Sequence, residues 1–305
     1  MHWKKLGLIF SPDPRQPWMQ THACLPAPIH LKDDVFRVFF ASRDAKNRSH
    51  VGFFDIRLGD NPTVVRVAEK PVLAPGPLGT FDDHGVYGTS VVRHLGRYYL
   101  YTFGWNRGAR HPLFYTSIGL ALSDDGENFT RYSPAPILGR SEFDPYFVTA
   151  PVVMIEVGRW RMWYVSGIRW DEVNGELQSC YHVKHAWSAD GIHWICSHDP
   201  VLTHSSPKER HLARMWVIKQ PDGYRAWHGY SLGDGYHIGF ATSPDGLHWQ
   251  RRPNYQGITR SPSGFDSEMI EHPAIVPFHK RWYMFYNGNA FGKDGVGLAV
   301  ADTLD

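Results

Sequence analysis

Three seven-residue stretches of this chain nearly copy one another: Ser123–Phe129, Ser188–Trp194 and Ser243–Trp249, each reading S-x-D-G-x-x-[WF]. They begin 65 and 55 residues apart. Each follows a short strand-like run (Ile118–Leu122, Lys184–Trp187, His237–Thr242) and leads toward a Pro-x-Leu/Ile segment. A repeat of about 60 residues built only of strands and turns marks a β-propeller blade. Within the box the Asp side chain is suited to bond the amides of its own turn and the Gly to take positive φ. The closing aromatic packs into the sheet. The box therefore reads as a structural device.

A second repeat supplies the innermost strands. His22–Ile29, His84–Val91, Pro145–Val152, Arg210–Val217 and Glu268–Ile275 start 62, 61, 65 and 58 residues apart. Aromatic second strands follow at Phe36–Ser42, Tyr98–Phe103, Trp160–Ser166, Gly223–His228 and Trp282–Asn287. β-branched and aromatic runs broken by Gly and Asp are strand–turn–strand signals. No long stretch carries a capped helical period. The expected fold is all-β: a five-bladed β-propeller of four-stranded antiparallel blades, one domain over residues 1–305. The last blade has a third strand at Val296–Asp302 and no outer strand after it. Trp3–Phe10 resembles the openings of other outer strands, so the N-terminal strand is expected to join the last blade and close the ring, which removes an exposed edge.

Aromatic content of 14% with 12 Trp suits sheet packing or stacking on sugar rings. A net charge of +2 gives no field for nucleic acid or an anionic membrane. Cys24, Cys180 and Cys196 form no C-x-x-C pair and read as reduced thiols of a cytoplasmic protein. The apolar run Leu6–Phe10 is too short for a signal-peptide core or a membrane span. The His residues lack zinc-ligand spacing, and no metal or cofactor is expected.

A propeller's chemistry gathers where inner strands begin and second strands end. Two sets of loops meet there, both rich in Arg, His, Trp, Asp and Glu. Aromatic platforms with convergent polar groups suit a carbohydrate. The substrate-contacting candidates are His22, Arg43, His84, Tyr87, Trp105, Arg107, Arg169, His211, Arg214, His228, His272 and Asn287. Several Arg together suggest an anionic sugar, because guanidinium forks match carboxylate and phosphate.

The boxes, the Phe-Asp pairs before inner strands (Phe81-Asp82, Phe143-Asp144, Phe265-Asp266) and Glu271-His272-Pro273 resemble the five-bladed propeller glycosidases. These are the arabinanase/β-xylosidase, invertase/levansucrase and mannoside-phosphorylase families. The resemblance spans the whole chain and implies glycoside cleavage or transfer by acids at the funnel floor. Recurrence of Phe-Asp points to a structural device, although Asp144, with no second acid beside it, stays a candidate. Asp83 is not repeated and is a candidate base. Glu271, in a Glu-x-Pro like that of the arabinanase-like general acid, and Glu268 are the candidate acids. Burial in such a funnel raises a carboxyl toward general-acid range. The chain departs from the resemblance at Thr21–Pro26, where those families carry a catalytic Asp and this chain has no acid. Three readings follow: an inverting two-carboxylate glycoside hydrolase or transferase, a non-hydrolytic carbohydrate-binding propeller, and a phosphorylase or other enzyme acting on an activated sugar.

Overall fold

The computed structural model describes residues 1–173 and 175–304. Strand β1 (Lys4–Phe10) is the outer strand of the sheet formed last in sequence. The first consecutive sheet runs β2 (Thr21–Lys32), β3 (Val35–Arg43), β4 (Ser49–Arg57) and β5 (Thr63–Val67). The second runs β6 (Val86–His94), β7 (Arg97–Arg107), β8 (Phe114–Ser123) and β9 (Thr130–Arg131). Next come β10 (Val148–Glu156), β11 (Arg159–Val173), β12 (Glu176–Ser188) and β13 (Ile195–Cys196). β14 (His211–Gln220), β15 (Gly223–Ser231), β16 (Tyr236–Ser243) and β17 (Gln250–Arg251) follow. A single parallel pairing, Tyr181 with His211, joins these two sets into one eight-stranded sheet. β18 (Glu271–Phe278), β19 (Arg281–Asn287) and β20 (Val296–Ala301) complete the order, and β1 pairs antiparallel with β20. The architecture is all-β and propeller-like, built of four-stranded antiparallel sheets.

Tight hairpins make the first turn of each unit. Leu95-Gly96 and Val157-Gly158 hold positive φ at both central positions, the twist-matched turn that joins two right-twisted strands. This fixes Leu95 and Val157 on the surface despite their apolar side chains. The outer strands β9, β13 and β17 are only two residues long, which leaves little edge for another chain to pair with. By contrast β7 and β11 run beyond the expected second strands, so Gly104–Arg107 and Arg169–Val173 are strand rather than loop.

The S-x-D-G boxes tie neighbouring sheets together. Asp190 Oδ1 accepts the amides of Ile192 and His193 at 2.8 and 2.9 Å, and Asp125 and Asp245 do the same in their boxes. The turn this makes turns out the Gly carbonyl, which the preceding sheet takes up. Arg37 on β3 donates to Gly126 O at 2.9 Å, Tyr101 on β7 to Gly191 O at 2.8 Å, and Trp163 on β11 to Gly246 O at 2.9 Å. Tyr283 on β19 donates to Gly59 O, after β4, at 3.2 Å, linking the last sheet to the first. The core fills the space between sheets with such residues as Phe39, Phe40, Phe54, Trp163 and Trp227, all fully buried.

A second device repeats within sheets. Asp82 meets Arg131, Asp144 meets Lys184, Glu209 meets Arg251 and Asp266 meets Lys5, at 2.6, 3.2, 2.6 and 2.5 Å. Each buried acid sits in the turn before an inner strand and grips a cation on the third or outer strand of its own unit. Asp144 also accepts from Tyr164 and Ser166 and is wholly buried, so the structure withdraws it from the catalytic candidates.

Candidate active site

Every inner strand breaks register where it pairs with its second strand. The breaks lie between Cys24 and Ala27, Gly88 and Ser90, Thr149 and Val152, Leu212 and Met215, and Glu271 and Ala274. At three of them a non-glycine residue with φ near +50° precedes Pro: Leu25, Ala150 and His272. Such bulges re-aim side chains, and left-handed non-Gly residues concentrate where structure serves function. Here the bulges bring groups of several inner strands toward one axis.

Arg214 occupies that axis. Its guanidinium donates to Thr89 O at 3.3 Å, Pro26 O and His272 O at 2.9 Å and Pro273 O at 3.0 Å, carbonyls of three other inner strands. It is wholly buried, and burial pushes it down to about 9. Expected among the substrate contacts, Arg214 is instead the pin on which the inner strands converge. Its nearest acid by charge is Glu271.

Glu271 opens β18 beside the pin. It is buried, and Oε1 has no hydrogen-bond partner in the protein. Oε2 lies 3.3 Å from His272 Nε2. Burial raises the Glu271 carboxyl well above its usual value, and the opposing pull of Arg214 does not cancel this. Burial likewise pushes His272 down to about 3. Asn287 settles the tautomer. Its Nδ2 donates to Ala23 O and Gly295 O at 2.8 and 2.9 Å, so its Oδ1 accepts from Leu25 N at 2.8 Å and faces His272 Nδ1 at 3.3 Å. Nδ1 therefore carries the imidazole proton and Nε2 presents a lone pair to Glu271. Burial shifts both groups toward their uncharged forms, a carboxyl facing an acceptor nitrogen. Tyr181 and Tyr236, whose hydroxyls are mutually hydrogen-bonded, add to the enclosure; burial raises both. His211 stacks on Tyr181 with centroids 4.6 Å apart.

A cleft of about 670 Å³ lies in front of His272. Cys24 and Leu25 of β2, Arg43 of β3 and Tyr87 of β6 line its floor side. Trp105 and Arg107 of β7, the following loop and Phe291 form its walls. Tyr87 stacks on Phe103 at 4.6 Å, and Phe291 meets Tyr236 edge-on at 5.9 Å. Trp170, on the long β11, packs against Phe114 at 5.0 Å and supports this wall from outside. A wider depression of about 880 Å³ lies at the outer strands near Trp249 and Leu304, away from these groups.

The remaining candidates divide. His22 adjoins Arg43 and Lys293; burial, then these cations, push it down to about 4. Asp83 accepts from Gly79 N at 2.9 Å and Asn106 Nδ2 at 2.6 Å and lies 2.5 Å from His84 Nδ1; His84 in turn lies 5.8 Å from Trp105, ring to ring. Burial raises the Asp83 carboxyl, but these bonds outweigh it and hold it below its usual range. Glu268 is exposed, and only its backbone is engaged, by Asn289 and Arg260. Arg169 is tied to Asp171 at 2.8 Å, an acid that also holds Arg210. His228 is fully buried near the Glu209–Arg251 pair, and Asn287 spends its amide on backbone, so both are structural rather than substrate contacts. Sequence reasoning passed over Cys24, Tyr181, Tyr236 and Phe291. Cys24 lies within Thr21–Pro26, the segment that has no acid, and burial pushes its thiol up to about 12.

Against this geometry the comparisons can be set. The "uncharacterized protein Rv1502" of Mycobacterium tuberculosis (strain ATCC 25618 / H37Rv) is 37% identical over 303 residues, 99% of this chain and 100% of that protein. Protein MT1551 of strain CDC 1551 / Oshkosh matches to the same extent. The chain belongs to the family of these two proteins. No established protein-family profile matches it. Among solved structures, one named "Glycoside hydrolase" superposes with a TM-score of 0.76 at 16% identity, over 99% of this chain and 92% of that one. A second was reported under "The GH130 family of mannoside phosphorylases contains glycoside hydrolases that target beta-1,2 mannosidic linkages in Candida mannan". It gives 0.70 at 17% identity, over 99% and 94%. At such identities these likenesses establish the family's fold. Among the described residues no helix is long and apolar enough to cross a membrane.

Proposed function

We propose that the sheets form five blades of one propeller domain, with the eight-stranded sheet counted as two blades and β1 closing the ring, and that the protein cleaves or transfers a glycosidic bond in the central cleft. The observation that carries this is Glu271: a buried carboxyl, raised well above its usual value, with an unpartnered Oε1, directly behind the cleft-lining His272. The glycoside-active neighbours of the same fold support the reaction class. Glu271 gives its proton to the leaving oxygen as the bond from the anomeric carbon to that oxygen breaks. In a hydrolytic, inverting course Asp83, held ionised, takes a proton from the attacking water, which requires the two carboxyls to stand roughly 6.5–9.5 Å apart with substrate bound. Phosphorolysis is the second reading, favoured by one observation. Arg43, Arg107 and His111 line the cleft, and no described lining residue carries a carboxylate. Phosphate as nucleophile needs no base.

A panel of aryl glycosides assayed with and without phosphate tests this. Glu271→Gln is expected to lower turnover about 10²–10⁴-fold on substrates whose leaving group needs a proton, the usual worth of a general acid, and less on nitrophenyl-type glycosides. Asp83→Asn is expected to do the same only if water attacks. Oligosaccharide binding without product would discard the enzymatic reading, and a Glu271→Gln variant that works like the wild type would remove Glu271 as the acid.

A further inference from the structure

The cleft is unlike a site for a bare oligosaccharide. Sugar hydroxyls are fixed by convergent polar side chains, chiefly carboxylates and amides. Among the described lining residues there is no carboxylate, and Asn47 is the one carboxamide. What the walls offer instead is apolar surface and positive charge. Leu25, Phe103, Leu113, Phe114 and Phe291 supply the first, and Arg43 and Arg107 the second. Phe291 is half exposed at the rim, with φ +61° following Ala290 at +48°, so a strained turn holds its ring outward over the cleft. Two buried donors in the wall, Arg43 Nε and Trp105 Nε1, have no acceptor in the protein. Buried donors are normally satisfied, so a ligand rich in acceptors suits them.

We infer that the substrate is an amphiphile: a sugar joined through a phosphate to an apolar chain, the phosphate at Arg43 and Arg107 and the chain along Phe114 and Phe291. This rests on the proposed reaction class and adds the aglycone's chemistry to it. A guanidinium fork matches phosphate oxygens, and charge-assisted bonds of this type are the stronger ones. Each buried methylene strengthens binding roughly three- to fourfold, so a short alkyl chain already separates this ligand from free phosphate.

Titration calorimetry of the full chain with octyl phosphate, inorganic phosphate and octyl glucoside tests it. Octyl phosphate is expected to bind at least a hundredfold tighter than inorganic phosphate and at least tenfold tighter than octyl glucoside. Phe291→Ala and Arg107→Ala, both at exposed positions, are each expected to weaken octyl phosphate about tenfold with unchanged melting temperatures. Equal affinity for octyl phosphate and inorganic phosphate, or for octyl phosphate and octyl glucoside, would overturn the proposal, as would two variants that bind like the wild type. Glu271→Gln keeps the outcomes apart. Tight octyl phosphate binding in an enzyme that cleaves no glycoside would remove the catalytic reading alone. Ready cleavage of simple aryl glycosides with no gain from the chain would remove this one alone.

Discussion

Four buried acids and a fifth make the instructive comparison. Asp82, Asp144, Glu209 and Asp266 each face a cation within 3.2 Å. Glu271 is as deeply buried, yet the nearby guanidinium of Arg214 gives its hydrogen bonds to backbone carbonyls. Burial penalises a carboxylate in both cases, and only the first group has an ion partner to offset it. The paired acids hold sheets in shape. The fifth has no such partner, and its carboxyl is shifted toward the protonated form.

Removing one partner should expose this difference most where both are sealed. Asp144→Ala leaves Lys184 charged and enclosed, and denaturant unfolding should show a loss of about 3–5 kcal/mol. Asp82→Ala should cost less, about 1–3 kcal/mol, because Arg131 is partly exposed and keeps Ala74 O as an acceptor. Glu271→Gln should behave oppositely. The folded-state value of Glu271 is raised above 4.5, so its contribution is full below that pH and is lost as pH rises toward the folded value. The variant should match the wild type in melting temperature in acid and exceed it toward neutral pH; parallel curves would mean that Glu271 is ionised and paired after all. Smallest is the exposed Arg110–Glu172 pair, where Glu172→Ala should change stability by less than about 1 kcal/mol and less still in high salt.

Much of the fold was readable because propeller-like sheets repeat their turns. The three boxes predicted their own Asp–amide bonds, and Trp3–Phe10 predicted the pairing with Val296–Ala301. The site was less readable for a local reason. A bulge shifts register by one residue, so strand alternation cannot say which neighbour faces the axis. Arg214 looked like a loop cation and became the axial pin. His228 and Asn287 lay on suitable strands but point into packed backbone. Phe291 lies outside the repeats, and Cys24, although inside the first inner-strand repeat, carries no charge to mark it. Glu271 was marked, through its Pro neighbour and its carboxyl.

Strand β1 has a consequence for how the molecule is made. Among the described residues its one ladder partner is β20, the last strand in chain order. During synthesis Lys4–Phe10 therefore emerges before the other described strands and waits for β20, with Leu6 and Leu8 still partly uncovered even after docking. Until β20 is made, the nascent chain carries an unsatisfied strand. The sheet of β18, β19 and β20 is completed by the earliest of the described strands, in a late step.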